Sequence, residues 1–239
     1  MGGELVLIPG LVSDRQAWRD VEQELLNKGL KTTIADISKA DSLTSMAQTI
    51  LDQTDGPLIP VGHSMGGRVA MEIARLAPER LAGLVLVATG AHPLAEGELP
   101  KRERVIELAN TQGMQALCDQ WLPPMMAPDT RKSDSQLYRT LEQMVLDAGA
   151  EVHERQIRAL IARPDARSVL ESLSAPTLFV AGEYDGWSTP DQHRAMAALV
   201  GNAPVDVEVV AGAGHFLQAE QPIVFTQLLL KWLQRAGLS

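Results

Sequence analysis

Ser64 stands between glycines in the run Gly62-His63-Ser64-Met65-Gly66-Gly67. An apolar strand pattern over residues 58–61 leads into it. A helical pattern follows, with Val69, Ala70, Ile73, Ala74 and Ala77 on one face. A strand that turns at once into a helix forces the residue at the turn into a strained backbone conformation and lifts its side chain clear of the sheet. Glycines two positions to either side remove the Cβ atoms that would collide there. The hydroxyl then sits near the positive end of a helix, suited to attack a carbonyl carbon. A phosphate-cradling loop would need Lys and then Ser or Thr after its last glycine, whereas Arg68-Val69 follow Gly67.

A serine hydroxyl is a weak nucleophile at neutral pH and needs a base beside it. His215 in Gly212-Ala213-Gly214-His215-Phe216 and Asp185 in Gly182-Glu183-Tyr184-Asp185-Gly186 each follow an apolar strand pattern. In open α/β sheets the ends of such strands carry the sites. His215 is expected to take the Ser64 proton and return it to the leaving group. Asp185 is expected to hold the imidazole tautomer and stabilise the cation. The oxyanion that forms needs aimed donors. The main-chain N–H of Met65 and that of Leu11, in Pro9-Gly10-Leu11-Val12, are the expected pair, with Ser13 or Asp14 capping the turn.

Other polar residues read differently. His92, His153 and His193 lack metal-ligand spacing and are expected in loops or on helix surfaces. The pairs Glu22 with Glu24 and Glu96 with Glu98 read as solvated. His63 reads as a packed neighbour of the nucleophile. Arg68 reads as a local salt-bridge partner, with contact to an anionic substrate as the alternative. In Trp121-Leu122-Pro123-Pro124-Met125-Met126, the residues Trp121, Met125 and Met126 are either core or the wall of an apolar acyl pocket.

These side chains need a scaffold. Strand patterns over residues 5–9, 31–36, 58–61 and 81–88 alternate with helical patterns over 14–28 and 43–53, which implies a parallel sheet covered on both faces. Between 91 and 165 the strand signals stop. Helical runs over 101–111, 113–121, 136–146 and 152–163 read as an inserted helical cap. Alternation resumes with strands at 176–181 and 205–210 and helices at 191–199 and 223–235. The expected division is a core of residues 1–90 and 166–239 with a cap of 91–165.

The 239 residues suit one α/β domain with an insertion, and a hydrophobic fraction of 45% allows a sizeable core. A formal charge of -9 argues against a nucleic-acid partner, since phosphate binding needs clustered Lys and Arg. One cysteine, Cys118, excludes an internal disulfide. The apolar run 5–8 is too short for a signal peptide, and no stretch is long enough to span a bilayer. The expectation is a cytoplasmic protein without metal or cofactor, acting on a small molecule; oligomeric state is left open.

With the order Ser64, Asp185, His215, the chain resembles the α/β-hydrolase superfamily over essentially its whole length, as a compact bacterial serine esterase-like member. Arg163-Pro164-Asp165 leading to Ala175-Pro176-Thr177-Leu178 resembles the cap exit of small members. The resemblance implies an eight-stranded, mostly parallel sheet, of which the chain has room for about six strands. Pro9-Gly10 stands where many relatives have His-Gly, so one anchor of the oxyanion loop is lost. Serine rather than aspartate at the elbow separates the chain from dehalogenases and epoxide hydrolases. The implied activity is hydrolysis of a carboxylic ester, lactone or thioester of a small to medium apolar acyl group through an acyl-enzyme. The alternatives are a triad-based lyase or carbon–carbon bond hydrolase acting on an anionic substrate, and a ligand-binding receptor on a hydrolase scaffold. Gly66-Gly67-Arg68 is similar to the menaquinone-pathway lyase, whose arginine holds substrate carboxylates.

Overall fold

The computed structural model describes residues 2–132 and 136–238. Six strands, β1 (Glu4–Ile8), β2 (Thr32–Ile34), β3 (Leu58–His63), β4 (Leu84–Val87), β5 (Thr177–Gly182) and β6 (Val205–Val210), form one parallel sheet in the order β2-β1-β3-β4-β5-β6. The six-stranded α/β-hydrolase fold expected from the sequence is the fold observed.

The continuous apolar strands divide their side chains by the two-residue repeat of a strand. Leu5, Leu7, Ile59, Val61, Val85, Val87, Leu178 and Val180 face one layer, where Trp18, Phe225, Leu229 and Trp232 pack against them. That layer is α1 (Arg19–Asn27), α9 (Leu217–Glu220) and α10 (Pro222–Arg235). Val6, Ile8, Leu58, Leu84, Leu86 and Phe179 face the other. There lie α2 (Leu43–Gln53), α3 (Met65–Leu76), α7 (Arg167–Glu171) and α8 (Pro190–Ala197).

Between β4 and β5 the chain inserts α4 (Leu99–Trp121), α5 (Pro128–Lys132) and α6 (Gln136–Ile161) ahead of α7. The breaks expected within the two long helices fall at Gly113 (φ 85°) and Gly149 (φ 76°), positions that favour glycine because a side chain is strained at such φ.

Two boundaries differ from expectation. The first helix opens as a 3-10 turn, Arg15–Ala17, capped by Asp14, which accepts the Gln16 N–H, and the α-helix begins only at Arg19. The fourth strand is shorter than 81–88, since Leu81 makes only an isolated bridge to Leu58 before the sheet resumes at Leu84. Among the described residues no helix is long and apolar enough to cross a membrane.

Candidate active site

The chain leaves β3 at His63 and enters α3 at Met65, so Ser64 alone makes the turn, at φ 54° and ψ -114°. The strain is held from several sides. Ser64 N–H donates to the Val87 carbonyl at 2.8 Å, and the Thr89 hydroxyl donates to the Ser64 carbonyl at 2.6 Å. A Cβ on Gly62 would lie 2.2 Å from the Gly66 carbonyl oxygen, and one on Gly66 would lie 2.2 Å from that of Ile8. The flanking glycines are therefore required by backbone approach.

Three side chains meet at this end of the sheet. The Ser64 hydroxyl is 2.9 Å from His215 Nε2, and His215 Nδ1 is 2.8 Å from Asp185 Oδ2. Asp185 is a carboxylate acceptor, so Nδ1 carries the proton and Nε2 accepts from the serine. The other Asp185 oxygen accepts the N–H groups of Trp187 at 2.8 Å and Ser188 at 2.9 Å. Burial disfavours its charge, but the His215 imidazole and these two donors outweigh that and hold the carboxyl below its usual range.

The loop bearing His215 is pinned by its main chain. Its N–H donates to the Met125 carbonyl at 2.7 Å, and its carbonyl accepts from His63 Nε2 at 2.9 Å. Glu220 accepts from the N–H of Gly214, the N–H of Ala127 and the Thr130 hydroxyl, tying this loop to the inserted segment. Burial raises the Glu220 pKa against those donors.

Leu11 and Met65 border the same cavity of about 360 Å³ as Ser64 and His215. Among the described residues, neither main-chain N–H donates to another group. Trp121, Met125, Val105, Ile157 and Leu160 supply apolar wall, and Arg68, Lys101, Arg102 and Arg163 with Glu98 supply a cationic end. Among the described residues no cluster of His, Cys, Asp and Glu could hold a metal ion.

Several expectations are corrected. Met126 does not line the cavity; it is buried in the core on the segment against which Gly214 packs. Arg68 makes no ion pair among the described residues. Although 9% exposed, it donates only to the His92 carbonyl, at 2.9 Å. Burial lowers its pKa, and nearby Arg163 and Arg102 lower it further. Glu98 is not a free solvated acid. It contacts Arg102 and Arg163, each at 2.6 Å, and although burial raises its pKa, those bonds outweigh burial and bring it to about 2.

His153 and His193 are buried rather than on loop or helix surfaces. His193 accepts the Thr89 N–H through Nε2 and donates from Nδ1 to the Thr189 carbonyl, locking the strand end behind Ser64. His63 is packed, as expected, 5.2 Å from the Phe216 ring, and its hydrogen bond to the His215 loop is an addition the sequence did not signal.

Comparison with known proteins agrees with this architecture. The sequence model of the alpha/beta hydrolase family matches residues 5–228. The chain is similar to a pimeloyl-[acyl-carrier protein] methyl ester esterase of Photobacterium profundum, 29% identical over 98% of this chain and 95% of that one. It is also similar to a 2-succinyl-6-hydroxy-2,4-cyclohexadiene-1-carboxylate synthase of Salmonella heidelberg, 27% identical over 91% and 88% of the two chains. Among solved structures it resembles an esterase from Thermogutta terrifontis with malate bound: TM-score 0.87, 28% identity, 99% and 91% of the chains covered.

Proposed function

The chain belongs to the alpha/beta hydrolase family and is an esterase-like enzyme, and from that premise we propose that it cleaves a carboxylic ester with Ser64 as nucleophile. The observation that carries the reading is the unbroken hydrogen-bond chain from Ser64 through His215 to Asp185, at 2.9 and 2.8 Å.

In the proposed reaction the Ser64 oxygen attacks the ester carbonyl while its proton passes to His215 Nε2. Asp185 stays ionised and stabilises the imidazolium. The negative oxygen of the tetrahedral adduct accepts from the N–H groups of Leu11 and Met65, neither of which donates to another group among the described residues. Collapse breaks the carbon–oxygen bond, and the departing alkoxide takes the proton from His215. Water, deprotonated by His215, then attacks the acyl-enzyme; the acid leaves and the proton returns to Ser64.

The inserted helices α4–α6 act as the cap in this reading, with Trp121 and Met125 against the acyl chain. Arg68, a nearly buried cation with no ion pair among the described residues, recognises a negative group on the substrate. The substrate class is therefore an ester that also carries a carboxylate. The same arginine supports a second reading, in which His215 and Ser64 abstract a proton from an anionic substrate that then eliminates. The single buried cysteine is compatible with action in the cytoplasm, which is part of the same proposal.

A fluorophosphonate should label Ser64, and Ser64→Ala should lose both the label and hydrolysis of p-nitrophenyl butyrate. Hydrolysis persisting in Ser64→Ala overturns the ester reading. Turnover of carboxylate-bearing esters slower than that of neutral ones removes the role given to Arg68.

A further inference from the structure

The peptide that follows the proposed oxyanion donor is held from outside the core, by a helix of the insertion. Val12 is β-branched yet adopts φ 44°, in the left-handed region such residues avoid. A conformation of this kind persists only where the surroundings impose it. Two bonds do so here. The Val12 N–H donates to Gln156 Oε1 at 2.7 Å, across 144 residues, and the Leu11 carbonyl accepts from the Ser13 hydroxyl at 3.0 Å. Both ends of the Leu11–Val12 peptide are thus fixed, one peptide beyond the Leu11 N–H.

Gln156 lies in α6 after the break at Gly149 and is 1% exposed. Its neighbours His153, Ile157 and Leu160 border the cavity over Ser64. On the other side of the loop is a second cavity of about 530 Å³, bordered by Val12 and Gln156. Val12 is itself 1% exposed, and among the described residues the amide of Gln156 is the group that takes up its N–H. The arginine beside it, Arg155, donates to the Ser38 carbonyl at 2.6 Å and holds the same turn of helix against the loop after β2.

We propose that Gln156 is a positioning residue for the reaction. Its side-chain carbonyl aims the Leu11 N–H at the developing oxyanion, which links the pocket wall to the catalytic loop. This rests on the ester reading and extends it to a residue that touches neither substrate nor nucleophile. A donor misplaced by a fraction of an ångström stabilises the transition state less while leaving substrate binding nearly untouched.

The test compares wild type with Gln156→Met, which keeps the length of the side chain and removes the acceptor, and with Gln156→Glu, which keeps the acceptor. Fluorophosphonate labelling of Ser64 in wild type is established first, so that failure of the ester reading is recognised separately. With p-nitrophenyl butyrate, Gln156→Met should lose about tenfold to a hundredfold in kcat with KM within about twofold. Affinity for a trifluoromethyl ketone, which forms a negative tetrahedral adduct on serine, should fall by a similar factor. Gln156→Glu should recover most of both. A folded Gln156→Met with wild-type kcat, or one whose kcat falls while ketone affinity is unchanged, overturns the proposal. If Gln156→Met does not fold, Gln156→Asn serves in its place, its acceptor drawn back by one methylene, and is judged by the same two readouts.

Discussion

The His63 ring donates from Nε2 to the main-chain carbonyl of His215 at 2.9 Å, so the residue before Ser64 holds the backbone of the residue proposed to activate it. The two rings lie 5.1 Å apart and His63 is buried. Replacing His63 by Phe keeps an aromatic ring in the packing and leaves the buried carbonyl unpaired. An unpaired buried acceptor costs about 1–3 kcal/mol. His63→Phe should therefore melt at a lower temperature and lose about tenfold in kcat, because the imidazole of His215 moves with its main chain. Unchanged melting and turnover would show that the bond positions nothing.

Acid should destabilise the fold as soon as the pH drops below the ordinary histidine range. Burial pushes the pKa of His63 down to about 3 and that of His153 to about 4, against about 6.5 in the unfolded chain. Below pH 6.5 the unfolded chain binds protons at these rings that the folded chain refuses, so stability falls as pH drops. Each ring contributes up to about 1.4 kcal/mol per pH unit. Asp185 and Glu98 have lowered pKa values, so the stability they add is present above the usual carboxylate range and is lost only as pH falls through it. Glu220, raised by burial, works in the opposite sense. Denaturant midpoints between pH 7 and 5 should fall in wild type and fall less steeply in His63→Phe.

The parallel core was legible because its strands are apolar without a break, which happens when both faces are covered. Ser64, Asp185 and His215 were legible because glycines mark the turns that carry them. The burial of His153 and His193 was not, since a helical histidine faces whatever the next layer places against it. Arg68 misled for a related reason. A charge beside a turn implies a nearby partner in sequence, whereas the nearby carboxylate, Glu98, is taken by Arg102 and Arg163 from the insertion. Gln156 left no local trace, because its partner is 144 residues away.

Asp185→Asn tests the tautomer directly. The Oδ1 position can still accept from Trp187 and Ser188, but the amide nitrogen then faces His215 Nδ1 and favours the tautomer with its proton on Nε2. That tautomer cannot accept from Ser64. The variant should remain folded and lose about 10⁴-fold in kcat. A loss below tenfold would remove Asp185 from the reaction.

Gly66→Ala tests the close approach beneath the loop proposed to carry an oxyanion donor. Its Cβ would meet the Ile8 and Pro9 carbonyl oxygens at 2.2 and 2.5 Å, and backbone cannot swing aside as a side-chain end can. Overpacking costs about 1–3 kcal/mol even where side chains can adjust. The variant should lose at least that much stability, and any folded fraction should lose activity, because the displaced strand end leads into Leu11. Calorimetry paired with kcat measures both, and a melting temperature equal to wild type would contradict the stated contact.

In the proposed reaction Arg68 selects among esters. Among the described residues its guanidinium, nearly buried, donates to one backbone carbonyl and shares the cavity with Lys101, Arg102 and Arg163 against a single carboxylate, Glu98. Charge buried without a partner is costly, and a substrate carboxylate would relieve that cost on binding. Arg68→Met retains most of the side-chain volume and removes the charge. A hydrogen bond between charged groups is worth about 1.5–3 kcal/mol, so kcat/KM for the monomethyl ester of a dicarboxylic acid should fall about tenfold to a hundredfold. The diester, which has no charge to present, should be hydrolysed as fast as before or faster, because the variant no longer buries an unpaired cation. The ratio of the two rates, measured across a series of acid lengths, also reads the distance from Ser64 to the anion site. A ratio unchanged by Arg68→Met at every length would leave the arginine a purely structural role.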